Sequence, residues 1–413
     1  MRHVIDNQFV LARAPEGPLA AWLDGFARFL SAKGYAASTI RQRVQRAVSF
    51  SYWLMQEQTE LSDLTSDHPA LYLQDRALQV ITRRNFLAGL RQLLEFLRLE
   101  GVVAEEPAAD SPTTQVDQCV HAYEQYLRDM RGLVDLTIQS RSPVVRRFLE
   151  HRFGDGQVAL PQLSASDVVE FVQREVSPTT KRNRAKVITI ALRSFLGYVG
   201  YRGEAMPDLV AAVPAVAEWP MASIPRAISP DEVHQLLTGI DRDTPKGRRN
   251  YAVLLLLARL GLRAGEIASL QLDDIDWTTG TMQVRTKGGH CNAFPLTHEI
   301  GEAIADYLRN GRPRSDSRRV FLRSKAPIRG FRGGSTVVCI VDSIVKQTGV
   351  NTPTRGTHQF RHGLATEMLR QGASLGEIGE LLGHRHPDTT RIYAKVDIDA
   401  LRALAMPWPG GVR

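Results

Sequence analysis

The sequence predicts a mainly α-helical protein with a small antiparallel β-sheet confined to its C-terminal domain, an α+β arrangement preceded by two helical modules. Three observations carry this. At 413 residues the chain is longer than one hydrophobic core usually organises, so two or three domains are expected. Through the first two thirds, apolar residues recur at three- and four-residue spacing, the period of amphipathic helices. Around residues 281–295 the pattern changes: Thr281-Met282-Gln283-Val284-Arg285 and Cys291-Asn292-Ala293-Phe294-Pro295 flank Lys287-Gly288-Gly289, a hairpin with glycines at its turn.

Two stretches divide the chain into thirds. Ala104 to Pro112 is small, acidic and proline-containing. Pro207 to Pro225 carries prolines at 207, 214, 220 and 225, each of which removes a backbone donor and resists helix. The expected organisation is a tail (1–17), a helical module (18–103), a linker (104–115), a second helical module (116–206), a linker (207–226) and a C-terminal domain (227–413).

The two helical modules resemble each other. Phe26-x-x-Phe29, Thr39-Ile40-x-x-Arg43 and Phe50 run parallel to Tyr123-x-x-Tyr126, Thr137-Ile138-x-x-Arg141 and Phe148, at an offset of 97–98 residues. Leu90-Arg91-x-x-Leu94 echoes Leu192-Arg193-x-x-Leu196. Shared order as well as spacing reads as a duplication, although two generic bundles would show the same periodicity. Each copy carries cations around its helices: Arg41, Arg43, Arg46, Arg83 and Arg84 in one, Lys181, Arg182, Arg184 and Lys186 in the other. These are the candidate contacts to the backbone of a polyanion such as a nucleic acid, against the plainer reading of solvated basic faces.

In the last third, Ser229-Pro230-Asp231-Glu232 combines an N-cap, a first-turn proline and a capping-box acid, so a helix starts there. The apolar run Tyr251–Leu260 reads as a buried helix ended by Gly261. It is the longest apolar run and falls well short of the roughly 18 residues that suggest a membrane span. The first residues lack the basic and apolar regions of a secretory signal, and three scattered cysteines give no disulfide framework. A cytoplasmic protein is therefore expected. A net charge of +8, from 52 Lys and Arg against 44 Asp and Glu, favours a polyanionic partner such as nucleic acid, while many mildly basic proteins have none.

Four local motifs could carry chemistry. In Gly261-Leu262-Arg263-Ala264-Gly265-Glu266 a helix opening near Arg263 puts Arg263 and Glu266 on one face, where a carboxylate-oriented arginine can grip a phosphate. Lys287 sits where glycines allow close backbone approach. In Thr357-His358-Gln359-Phe360-Arg361-His362, the i,i+3 pair His358 and Arg361 sets an imidazole beside a guanidinium. His358 and His362 also have the i,i+4 spacing of metal ligands, but Gln359 stands where a zinc protease carries its Glu and no further ligand is evident, so no metal is expected. In the last motif, Ser374-x-x-Glu377 caps a short helix that Gly383 ends, placing His384 at an exposed bend. Asp388 then caps a helix with Tyr393 in its second turn. Taken singly, each has an ordinary explanation: a surface ion pair, a solubilising lysine, a packing tyrosine.

Their order and spacing are specific: Arg, Lys, His-x-x-Arg, Gly-His, then Tyr nine residues after that histidine. In this the chain resembles the tyrosine recombinase (phage integrase) family over about residues 226–400. The resemblance implies Arg263, Lys287, His358, Arg361 and His384 as catalytic residues, Glu266 as support for the first arginine, and Tyr393 as nucleophile. It implies that the helical modules are SAM-like, core-binding domains; most members have one, so two copies are a departure. His290, where many relatives place a second lysine, is another.

The implied reaction is DNA cleavage and rejoining. Arg263, Arg361 and His384 would neutralise the phosphate. His358 would be the base in cleavage and acid in reversal, and Lys287 would protonate the leaving 5′ oxygen. The product would be a 3′-phosphotyrosyl link, rejoined without ATP, metal or other cofactor. The implied partner is double-stranded DNA, bound by four protomers (a homotetramer, or a tetramer with related recombinases) exchanging strands through a Holliday junction on the bacterial nucleoid. The departure in the N-terminal region leans toward a mobile element. A type IB topoisomerase uses similar residues as a monomer, and a DNA-binding regulator on a decayed recombinase fold is the non-enzymatic rival.

Overall fold

A computed structural model describes residues 3–5, 9–11, 15–74, 80–104, 114–154, 156–177, 182–204, 207–217, 224–286, 291–384 and 386–396. The chain forms two compact units, one of Met1–Ala104 with Met221–Arg413 and the other of Glu105–Pro220. The structure is mainly helical, with the small sheet in the C-terminal region, as the periodicities predict.

The first bundle consists of α1 (Leu23–Ala32), α2 (Ala37–Gln56), α3 (His68–Tyr72) and α4 (Val80–Leu99). The second consists of α5 (Gln115–Asp129), α6 (Asp135–Phe153), α7 (Ala165–Glu175) and α8 (Arg182–Tyr201). The residues that match in sequence occupy matching places: Phe26 and Tyr123, Ile40 and Ile138, Phe50 and Phe148, and Leu90 and Leu192 are all buried in their own cores. The burial of these apolar side chains is the main term holding each bundle together.

Two expectations change at the edges of the bundles. The N-terminal residues contain a two-stranded antiparallel hairpin, β1 (His3–Ile5) with β2 (Phe9–Leu11), where a tail was expected. The run after residue 206 is not all linker. Pro207–Val210 form a 3-10 turn, Leu209 and Val213 join the second core, and Arg193 donates to the Val213 carbonyl at 2.9 Å. Proline forbids a mid-helix position but not a first turn, and two apolar residues gain more from burial than from exposure.

The C-terminal region is built around α10 (Pro245–Leu260), whose Leu254, Leu255, Leu256 and Leu257 are all buried. A helix buried on every side needs neighbours all round. They include α9 (Pro230–Thr238), α12 (His298–Asn310), α13 (Gly334–Thr348) and α14 (His358–Arg370). The sheet runs β3 (Ile275–Asp276), β4 (Thr281–Arg285), β5 (Cys291–Pro295), antiparallel throughout, with Met282 opposite Phe294 and Val284 opposite Asn292. Met282, Val284 and Phe294 face the core, the period-two alternation of a half-buried strand.

The first bundle and the C-terminal region meet within one unit. The Ile328 N–H donates to the Lys33 carbonyl at 3.1 Å, at the turn between α1 and α2. Gly34 stands at φ +78°, and a Cβ there would lie 2.6 Å from Ile328 Cγ1. Only glycine fits this backbone and this approach.

Candidate active site

Gly261 ends α10 in the left-handed region at φ 59°, which turns the chain into Arg263. Arg263 is the N-cap of α11 (Ala264–Ser269), and Glu266 closes the first turn behind it. The Glu266 carboxylate accepts from the Arg263 backbone N–H at 2.7 Å and from its guanidinium at 2.8 Å. Glu266 is buried and the Arg263 side chain is 31% exposed, so a fixed anion holds one side of a guanidinium that still reaches solvent.

Arg361, on the first turns of α14, is buried and uses its planar fork on two carbonyls. One terminal nitrogen donates to the Gly261 oxygen at 2.8 Å and the other donates to the Leu382 oxygen. Among the described residues no carboxylate pairs with it directly. Burial, then the charge of Arg263, pushes its pKa down to about 10, while Glu266 and Tyr393 oppose the shift. A buried cation held only by neutral dipoles is expensive, and an anion beside it would offset that cost.

His358 begins α14 and is half-buried; burial, Arg361 and Arg263 hold its pKa down. Tyr393 lies next to this helix, 1% exposed, in a 3-10 turn (Ile392–Val396) that follows α16 (Pro387–Arg391). This corrects the expected helix through Tyr393: the α-helix is one turn long, begins at Pro387 with His386 as its cap, and tightens before the tyrosine. Burial pushes the phenol pKa up, and Arg361 and Arg263 pull against it.

His384 follows α15 (Leu375–Leu381), whose Ser374–Glu377 capping box forms as predicted. It is half-buried rather than exposed: Nδ1 lies 2.8 Å from the buried Thr390 hydroxyl, and its ring runs parallel to that of Tyr393 at 6.5 Å. Burial, then Arg361, Arg263 and His362, pushes its pKa down to about 4, so it is neutral at pH 7.

The structure thus gathers Arg263, Glu266, His358, Arg361, His384 and Tyr393 around the ends of α10 and α14. Lys287 and the adjoining Gly288, Gly289 and His290 lie outside the described residues. One neighbour has a place the motif reading did not give it. His362 Nδ1 stands 3.0 Å from the Tyr393 hydroxyl. The sequence carried its signal only as the i,i+4 partner of His358, weighed there as a metal ligand.

The candidate DNA-backbone residues divide. Arg43 and Arg46 lie over the rings of Tyr35 and Phe86, at 4.1 and 4.8 Å, and are only partly exposed. Arg41, Arg83, Arg84, Arg182 and Arg184 are exposed, Arg184 within 3.8 Å of Glu175. Lys186 is partly buried, and Lys181 lies outside the described residues. No described helix is long and apolar enough to cross a membrane.

The profile of the phage integrase family matches residues 226–399. The chain is 55% identical over 410 residues, 99% of each chain, to the Sinorhizobium fredii protein y4rA, named an integrase/recombinase. It is 30% identical over 306 residues to tyrosine recombinase XerD of Mycobacterium tuberculosis, covering 70% of this chain and 96% of that one. The fold is also that of the XerH recombinase solved with palindromic difH substrate in a post-cleavage complex (TM-score 0.55, 19% identity, 72% of this chain and 90% of that one). With 55% identity over nearly the whole of y4rA and 30% over nearly the whole of XerD, the chain belongs to the phage integrase family and is a site-specific tyrosine recombinase.

Proposed function

We propose that this recombinase cleaves DNA by attack of the Tyr393 oxygen on a backbone phosphate, leaving a 3′-phosphotyrosyl link and a free 5′ hydroxyl. The observation that carries it is the setting of the Tyr393 hydroxyl, beside a neutral imidazole and within the field of two guanidiniums that oppose the upward shift of its pKa. Arg263 and the buried Arg361 present N–H donors where charge grows on the non-bridging oxygens, a preorganised stabilisation that needs no reorganisation during reaction. His384, neutral and tied to Thr390, adds a donor from the other side. His358 lies beside the arginine pair, and Lys287 remains the candidate acid for the leaving oxygen. Because the phosphodiester energy is kept in the tyrosyl link, rejoining needs neither ATP nor metal.

DNA as the partner is supported by the chain's net charge of +8 and by the substrate held by XerH. Synapsis as a tetramer and strand exchange through a Holliday junction follow from a reaction that must break four strands pairwise. The domain division read from sequence (18–103, 116–206, 227–413) places two SAM-like modules ahead of the catalytic domain, a layout that suits a mobile-element recombinase.

Tyr393→Phe tests the reading. It removes one oxygen, and covalent protein–DNA adducts trapped on denaturing gels should vanish while gel-shift binding persists. Adducts formed by that variant would overturn the nucleophile, and loss of wild-type adducts in EDTA would overturn metal independence. Relaxation of plasmids of unrelated sequence would favour a topoisomerase.

A further inference from the structure

The proton of Tyr393 must go somewhere as its oxygen bonds to phosphorus, and the structure offers one direct recipient. Among the described residues the hydrogen-bond partner of the Tyr393 hydroxyl is His362, 3.0 Å away at Nδ1 with the rings inclined at 59°. His384 stacks on the face of the tyrosine and directs Nδ1 to Thr390 instead. His358, one turn back on α14, has its ring 6.3 Å from that of His362 and belongs to the arginine pair. We propose that His362 Nδ1 takes the Tyr393 proton during cleavage, so that His362, rather than His358, is the base of the nucleophile. This rests on the assignment of Tyr393 above.

The step balances without a further reagent. The phenol O–H bond breaks toward Nδ1, the new O–P bond forms, and the P–O5′ bond breaks, with the 5′ oxygen taking its proton from a separate acid. In rejoining, the 5′ hydroxyl returns its proton to the conjugate base of that same acid as its oxygen displaces the tyrosine, which recovers its own proton from the His362 imidazolium. Nδ1 must start unprotonated, so the ring must be neutral with its hydrogen on Nε2. The groups acting on it keep it so. Burial comes first, then the charges of His358 and Arg361 on its own helix; Tyr393 and His384 face it from the segment after α15, and no charged group of α10 is among those acting on it. Burial, His358 and Arg361 together hold its pKa below the ordinary histidine range rather than above it. A base of this kind works at neutral pH and fails only in acid.

Single-turnover adduct formation, on a nicked duplex built from the sequence at which the wild-type chain forms adducts, tests this. His362→Asn places an amide near the Nδ1 position, able to hold the hydroxyl but unable to take its proton. It and His362→Ala should slow adduct formation at pH 7 by about 100-fold or more, the usual scale of general-base loss. They should also lose the acid limb of the wild-type pH profile. Installing 3,5-difluorotyrosine at 393, whose hydroxyl ionises near neutrality, should restore most of the rate in both variants, which a folding defect would not allow. A His362→Asn rate within threefold of wild type, or fluorotyrosine rescue confined to His358→Ala, would overturn the proposal. Adducts from Tyr393→Phe would instead sink the nucleophile on which it rests.

Discussion

At the scale of single residues, the site is made of side chains whose charge states are set first by burial and then by one another. Arg361 is the hinge of this set, because its two terminal nitrogens tie the end of α10 to the end of α15 through the Gly261 and Leu382 carbonyls. A lysine has no planar fork and cannot bridge both. Arg361→Lys should therefore lower folded stability, by roughly 1–3 kcal/mol for a stranded buried acceptor, as well as slow adduct formation, and paired denaturant and single-turnover measurements would register both. The histidines make a second prediction. His384 titrates near 4 when folded against 6.5 as its ordinary value, and His358 and His362 are shifted in the same direction. The unfolded chain therefore binds protons that the folded chain refuses. Their contribution to stability is complete above about pH 6.5 and is lost progressively as pH falls toward 4. The thermal midpoint should drop over that window in wild type and drop less in His384→Asn, provided the amide keeps its bond to Thr390; equal slopes would refute the attribution. Much of this cluster was legible in the sequence, because its motifs are local and three-residue spacing on a helix fixes a shared face. The His362–Tyr393 contact was not, since its partners lie 31 residues apart and Tyr393 sits in a 3-10 turn where a continuous α-helix was expected.

Among elements, punctuation proved easier to read than length. Ser229, Ser374 and Gly261 cap or end helices where their chemistry predicts, and both strands of the 281–295 hairpin form over the expected residues. The misreadings arose where a local rule met tertiary packing. Prolines after residue 206 argued for a linker, yet Leu209 and Val213 had a core to enter. Asp388 argued for a helix cap, yet Pro387 starts the helix one residue earlier and it lasts a single turn. Gly261 is the most constrained of these positions: beyond its φ of 59°, a Cβ would come 2.9 Å from Leu382 Cδ2 and 3.1 Å from Leu364 Cδ2. Gly261→Ala should cost roughly 1–2 kcal/mol from the left-handed backbone alone. Because the Gly261 carbonyl also anchors Arg361, the same variant should lose adduct-forming rate with Tyr393 intact. Wild-type kinetics in a destabilised Gly261→Ala protein would show that the anchor is dispensable.

For the molecule as a whole, the order of the chain and the order of packing differ. The first bundle belongs to the same compact unit as the C-terminal region, while the residues between them, Glu105–Pro220, form the other. Sequence periodicity revealed the two bundles but gave no sign of which would join the catalytic region, because contacts such as the Lys33–Ile328 backbone hydrogen bond and the glycine-sized gap at Gly34 leave no periodic signal. Gly34→Val, which adds a strained φ and a clash with Ile328, should uncouple them. In calorimetry, the melting of the first bundle should separate from that of the catalytic region, and an unchanged single transition would contradict it.

The Lys33–Ile328 contact also has a history written into it. Its two sides are 295 residues apart in the chain (328 minus 33). At ribosomal speeds of about 5–20 residues per second, roughly 15–60 s separate the appearance of the first side from that of the second. For that interval the Lys33 carbonyl is without its Ile328 donor, and the first bundle has only its own core and its own pairs, such as Lys33 with Glu95, to fold on. The joint closes late in synthesis, as the docking of a finished part and not as a step in making it.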